Sequence, residues 1–219
     1  MQKYDNRAGY FLSVTFAEIK IMKKYGLPAV VVLIAVFVSL YFFGGKKKTE
    51  KEPKKDPLTI SANTGAFNES FTEALTAYLS LKEAFVASDT AKANKAALGL
   101  SLKADSLKID DIKGDTTGTI KETARFYVGT ISASILTLAS AKNIEAKRKE
   151  FETITDAVWS LTRTVKYSGV RVFYQYCPMA FNNKGAYWIS DKREIRNPYF
   201  GNKMLTCGEV ADSLDYSRK

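Results

Sequence analysis

From Phe67 onward, apolar residues recur at intervals of three or four: Phe67, Phe71, Ala74 with Leu75, Tyr78, Leu81 and Phe85. That period marks one face of a helix running to about Ser88. Asp89 stands where an N-cap is wanted for a second, alanine-rich helix, in which Ala91, Ala93, Ala96 and Ala97 are followed by Leu98, Leu100 and Leu102. Ile109 to Gly118 is a turn cluster of aspartates and glycines. A third helix is predicted from about Thr119 to Ala141, with Phe126, Ile131, Ile135 and Leu138 in register. Asn143 caps a fourth, Ile144 to about Tyr167, striped by Phe151, Ile154, Val158, Leu161 and Val165, and Gly169 ends it. Four amphipathic helices with short connections predict a mainly α fold, an antiparallel four-helix bundle over residues 66–168.

After Gly169 the period drops to two. Val170, Val172, Tyr174 and Tyr176 alternate with Arg171, Phe173 and Gln175, the pattern of a strand. Pro178, Gly185, Pro198, Gly201 and Gly208 then break the chain into short strands and turns, so residues 169–210 read as a C-terminal meander and 211–219 as a tail.

The amino-terminal side is organised by one apolar run. Leu27 to Phe43 carries no charge, and Gly26, Gly44 and Gly45 extend it to the about 20 residues that cross a bilayer. It ends in Tyr41-Phe42-Phe43, aromatics suited to the membrane interface. The expectation is one N-terminal transmembrane helix over 26–45, after a short segment 1–25 and before a charged linker 46–65 with Pro53 and Pro57. Basic residues flank the run on both sides, so charge alone does not orient it. Long downstream domains translocate largely regardless of such charges, which predicts an inner-membrane protein with its C-terminal domain in the periplasm. The alternative is secretion to the periplasm after signal cleavage; separately, residues 1–21 read either as an interfacial segment or as lying before a start at Met22, which would open an ordinary basic leader.

Composition narrows the function classes. The net charge of +10 is concentrated in residues 1–55, which hold 11 Lys and Arg against 4 Asp and Glu, while residues 56–219 hold 22 against 19. That distribution fits apposition to a membrane and argues against a nucleic-acid partner. The chain has no histidine, which removes His-ligated zinc, a Ser-His-Asp triad and a Cys-His nucleophile. Asp191, Glu194 and Glu209 are scattered carboxylates without a paired partner, so no enzyme is expected. The acidic turn at Asp110, Asp111 and Asp115 lacks the spacing of an EF-hand loop.

What chemistry remains is sulfur. The two cysteines of the chain each have a methionine two or three positions away, in Cys177-Pro178-Met179 and Met204-Leu205-Thr206-Cys207. Thiolate and thioether are soft ligands suited to Cu(I) and its like. An extended Cys-Pro-Met puts both sulfurs on one side, and a turn does the same for Met204 and Cys207. Cys177, Met179, Met204 and Cys207 are therefore the candidate metal ligands, with Tyr176, Tyr187, Trp188, Tyr199 and Phe200 shielding them from water and oxidant. The competing reading is a Cys177–Cys207 disulfide, worth roughly 3 to 4 kcal/mol for a loop of about 30 residues, in a non-catalytic envelope scaffold or interaction module. A third reading, a carbohydrate or peptide platform built on the aromatics, is set against their commoner role as core.

Four stretches carry a family likeness: Tyr176-Cys177-Pro178-Met179-Ala180, Lys184-Gly185-Ala186-Tyr187-Trp188, Ile195 to Gly201, and Lys203-Met204-Leu205-Thr206-Cys207-Gly208-Glu209. Together they resemble the signature of a bacterial cell-envelope helical domain of unknown function, which is also found fused to periplasmic adaptor subunits of copper/silver efflux systems. The likeness covers about Phe67 to Val210. It implies a periplasmic helical bundle associated with heavy metals; the role expected of the sulfur site is copper buffering, sensing or hand-over to an efflux partner. It also implies that the four sulfur positions carry over, without implying a proven ligand set. The chain lacks the adaptors' lipoyl, barrel and long-hairpin segments, so it is not expected to be a pump adaptor itself.

Overall fold

A computed structural model describes residue 63 and residues 65–217. These lie in one of the two units into which the chain divides, Asp56–Lys219. The expected segment 1–25, the transmembrane helix 26–45 and nearly all of the linker 46–65 lie outside the described residues. Among the described residues no helix is long and apolar enough to cross a membrane.

The four predicted long helices are present: α1 (Gly65–Val86), α2 (Thr90–Asp105), α3 (Thr119–Ser140) and α4 (Ile144–Thr164). Both predicted caps form, because each needs only a carboxylate or amide oxygen three residues before an orphan N–H. Asp89 Oδ1 accepts from Lys92 N at 2.9 Å and Asn143 Oδ1 accepts from Ala146 N at 2.8 Å. The helices pack in chain order, and α1 meets α4 through large side chains. Tyr78 stacks on Phe151 with centroids 5.4 Å apart, and Phe85 lies 5.0 Å from the same ring.

Three details of the periodicity are corrected. Phe126 is 69 % exposed, and the inward face of α3 is Ala124, Ile131, Ile135 and Leu138. On α2 the inward face is Ala93, Ala97, Leu100 and Ala104, which leaves Leu98 and Leu102 in solvent. Gly169 does not end α4; the helix stops at Thr164, and Lys166 takes the left-handed turn at φ 50°.

The meander contains a three-stranded antiparallel sheet in the order β2–β1–β3, with β1 Val172–Cys177, β2 Ala186–Ser190 and β3 Glu209–Leu214. β3 runs past residue 210, and Leu214 and Tyr216 are buried, so the expected tail is part of the fold. A single short turn, α5 (Ala180–Asn183), joins β1 to β2, and a 3-10 turn, Gly201–Lys203, lies in the long connection between β2 and β3.

Both faces of the sheet are covered, which is why the alternation of β1 does not read as inside and outside. On one face Tyr174 stacks on Trp159 of α4, with centroids 4.2 Å apart and planes 5° apart. There too Ile189 N donates at 3.0 Å to the Tyr78 hydroxyl, which is also 2.7 Å from Thr155 Oγ1. On the other face lies the β2–β3 connection. Fully buried Gln175 donates through Nε2 to the carbonyls of Lys192, Arg193 and Glu194.

Arg148 of α4 fastens that connection to the helices. Its guanidinium is buried and donates to Pro198 O at 2.8 Å, to Phe85 O at 3.2 Å and to Ser88 Oγ at 3.0 Å. Gly201, at φ 56°, rests against the same α1–α2 turn; a Cβ there would lie 2.6 Å from Ser88 Oγ.

Candidate functional site

Sheet pairing brings the cysteines together. Cys177 is the last residue of the central strand and pairs with Ala186 of β2, while the β1–β3 register places Tyr176 opposite Glu209. Continued by one residue, that register sets Gly208 opposite Cys177, and Cys207 is the next residue along. The Sγ atoms of Cys177 and Cys207 are 3.1 Å apart, with Cys177 fully buried and Cys207 half-buried. No bond joins the two sulfurs in this structure.

Close approach depends on Gly208. It sits at φ 142°, and a Cβ there would stand 2.7 Å from Tyr176 O and 2.8 Å from the Trp188 ring. Only a residue without a side chain lets β3 enter the ladder at that point.

The turn that carries Cys207 is held by a residue the sequence reading quoted but did not single out. Asn197 is fully buried. Its Nδ2 donates to Cys207 O at 2.8 Å, while its Oδ1 accepts from Tyr199 N at 2.8 Å and from Phe200 N at 3.2 Å. Its backbone N donates to Leu205 O at 2.8 Å. The available signal was the Asn197-Pro198 dipeptide, a turn initiator whose amide satisfies nearby backbone.

The methionines are placed differently from one another. Met204 is joined to Cys207 by the turn that their spacing predicts, with Cys207 N donating to Met204 O at 3.1 Å. Met179 is not in an extended segment. The strand stops at Cys177, and Met179 has helical dihedrals (φ −87°, ψ −11°) at the start of α5 and is 45 % exposed. It lines a cleft of about 750 Å³ with Phe181, Tyr199 and Phe200, and neither cysteine is part of that wall.

The five aromatics divide between the faces of the sheet. Trp188 is buried on the thiol side, against Gly208, with Tyr199 edge-on at 6.2 Å and 69°. Phe200 lies in the cleft beside Met179. Tyr176 and Tyr187 are cross-strand partners on the opposite face, 4.5 Å apart, in a stack that continues to Tyr174 and Trp159. Successive side chains of a strand point oppositely, so these two face away from Cys177.

The hydrogen bond shared with the Cys177 thiol, and then partial burial, hold the Cys207 thiol above its ordinary value. A proton held more tightly in the folded state stabilises the fold fully below the unfolded thiol value of about 8.5, and this contribution is lost as pH rises through the higher folded value. In urea melts of the reduced protein, the midpoint is expected to start falling above about pH 8.5. Cys207→Ser should remove that component; an unchanged alkaline limb in the variant would assign it to other groups.

Among the described residues no three His, Cys, Asp or Glu side chains are grouped to hold one ion. The two thiols are a donor pair in contact. Two soft donors without a carboxylate suit a monovalent soft ion and not a hard divalent one.

Residues 74–169 match a family described as Protein of unknown function (DUF3347). The matched span runs from within α1 to just beyond α4, whereas the four stretches that carry the likeness in the sequence lie C-terminal to it. No curated protein and no solved structure matches the chain.

Proposed function

We propose that this chain is a membrane-anchored, non-catalytic protein of the cell envelope, whose periplasmic domain binds Cu(I) or Ag(I) and buffers it or hands it to an efflux partner. The observation that carries the reading is the contact of two thiols, 3.1 Å apart, one buried and one reachable. Cys177 and Cys207 would hold the ion as thiolates, and Met204, on the turn of Cys207, would add a thioether. Met179 stands on a neighbouring cleft as an outer donor. The bound ion would supply soft Lewis acidity and nothing else; the chain's part is to hold the sulfurs together and to keep Trp188 and Tyr199 packed over the thiol side. The uncharged run Leu27–Phe43 supports the anchor, and the cell-envelope likeness supports the compartment.

Anaerobic titration of the reduced protein with Cu(I) against a chromophoric chelator tests it. One ion per chain is expected, with uptake lost in Cys177→Ser, weakened at least about tenfold in Met204→Leu and less in Met179→Leu. Absence of stoichiometric uptake ends the copper reading.

The second reading is a disulfide staple in an envelope scaffold. The same pair favours it, because closure to a bond of about 2.05 Å asks for a movement of only about 1 Å. Protein isolated without reductant from its native envelope decides between the two: two titratable thiols per chain support the metal site, and none support the staple.

A further inference from the structure

A second cleft, of about 1010 Å³, opens between α1, the first turns of α2 and the connection after β2. Its apolar wall includes Leu79, Ala84, Ala87 and Ala96. Five cations line it, Lys82, Lys92, Lys95, Lys192 and Arg196, against the three carboxylates Glu83, Asp191 and Glu194.

The balance is most uneven around Glu83, a partly exposed carboxylate. Lys82 is buried, its side chain only 4 % exposed, and its Nζ lies 2.6 Å from Glu83 Oε1. Arg196 takes the other oxygen of the same carboxylate, with Nη2 at 3.1 Å and Nε at 3.3 Å from Glu83 Oε2. One carboxylate thus serves two cations. A buried ammonium that shares its carboxylate with a second cation is costly to hold, and a second anion relieves the cost. Asp191 and Glu194, by contrast, are exposed, and solvent screens their opposing charge. The cleft is of the size of small-molecule sites, with an apolar wall and a few convergent charges.

We propose that this cleft binds a small organic anion, whose carboxylate or phosphate group is held by Lys82 and Arg196 and whose apolar body lies against Leu79 and Ala96. The site is independent of the thiols and does not rest on the copper reading.

Isothermal titration of the reduced full chain with 2-naphthoate, phenyl phosphate and the uncharged 2-naphthamide tests the site. Saturable binding of at least one anion is expected, at least about tenfold tighter than the amide. The preferred anion identifies the group as carboxylate or phosphate. Lys82→Met should weaken it at least about tenfold. Because that lysine is also part of the fold, exposed Lys192→Gln is the second variant, expected to weaken binding about twofold and to flatten its salt dependence. The proposal is overturned if neither anion saturates, if the amide binds as tightly, or if Lys192→Gln and a folded Lys82→Met both bind as the parent does.

Discussion

Asn197→Ala is expected to lower the unfolding free energy by about 3–5 kcal/mol, because one amide satisfies three backbone groups in the interior and each one left bare costs about 1–3 kcal/mol. The three are Cys207 O, Tyr199 N and Phe200 N. The loss falls on the connection that carries Cys207 and leaves the interior of the helices alone. Hydrogen exchange should therefore rise first across residues 197–214, while the α1 and α4 amides stay protected until global unfolding. Cys207 should become more reactive toward iodoacetamide than in the parent. Asn197→Asp retains the acceptor and loses the donor to Cys207 O, so an intermediate stability is expected. If Asn197→Ala melts within about 1 kcal/mol of the parent, the amide is not the clamp of this turn.

Gly208→Ala should cost about 3 kcal/mol or more, from a Cβ forced against backbone in a conformation that L side chains rarely adopt. The obstacle is Tyr176 O at 2.7 Å, a ladder carbonyl that cannot turn aside, together with the Trp188 ring at 2.8 Å. Relief requires the start of β3 to move off β1, and that movement separates the thiols. The measurable consequence is chemical: the rate at which Cys177 and Cys207 close to a disulfide under a fixed glutathione buffer should fall by more than tenfold relative to the parent. An unchanged closure rate would mean that the thiols meet without the close strand approach.

The helices were legible because their determinants are local. A face repeated at three and four residues and a cap three residues from its donor are written in consecutive residues, and Asp89 and Asn143 behave as read. The misreadings follow from small angular errors. Phe126 precedes Ile131 by five residues, which at about 100° per residue puts it about 140° around the helix. Leu98 stands one step beyond Ala97 and so leaves the face that Ala93, Ala97, Leu100 and Ala104 share. The stop of α4 was missed because Lys166 accepts the left-handed turn usually given to glycine. β3 was cut short because the residues of Glu209–Leu214 alternate only weakly between apolar and polar, and the strand is recognised by its partner more than by its own pattern.

The site was legible in part. That the two cysteines matter was readable from their being the only ones, and the turn joining Met204 to Cys207 follows from spacing. The placing of Met179 was not, since nothing local announces that β1 ends at Cys177 and that the next residues turn into α5. Nor could a period-two pattern tell that Tyr176 and Tyr187 join the stack on Trp159 and face away from the thiols, because both faces of this sheet carry packed aromatic rings.

By itself the order of residues determined the helices and their caps, the want of imidazole chemistry, the uncharged run near the amino terminus and the placing of both cysteines within three positions of a methionine. Each of these depends on side chains within a few positions of one another or on composition alone. Only the tertiary structure decided that Cys177 and Cys207 touch, that Asn197 and Gly208 make the contact possible, and that Lys82 and Arg196 converge on one carboxylate. Those outcomes depend on strand register and on a connection folded back over the sheet, where partners come from distant parts of the chain and leave no period along it.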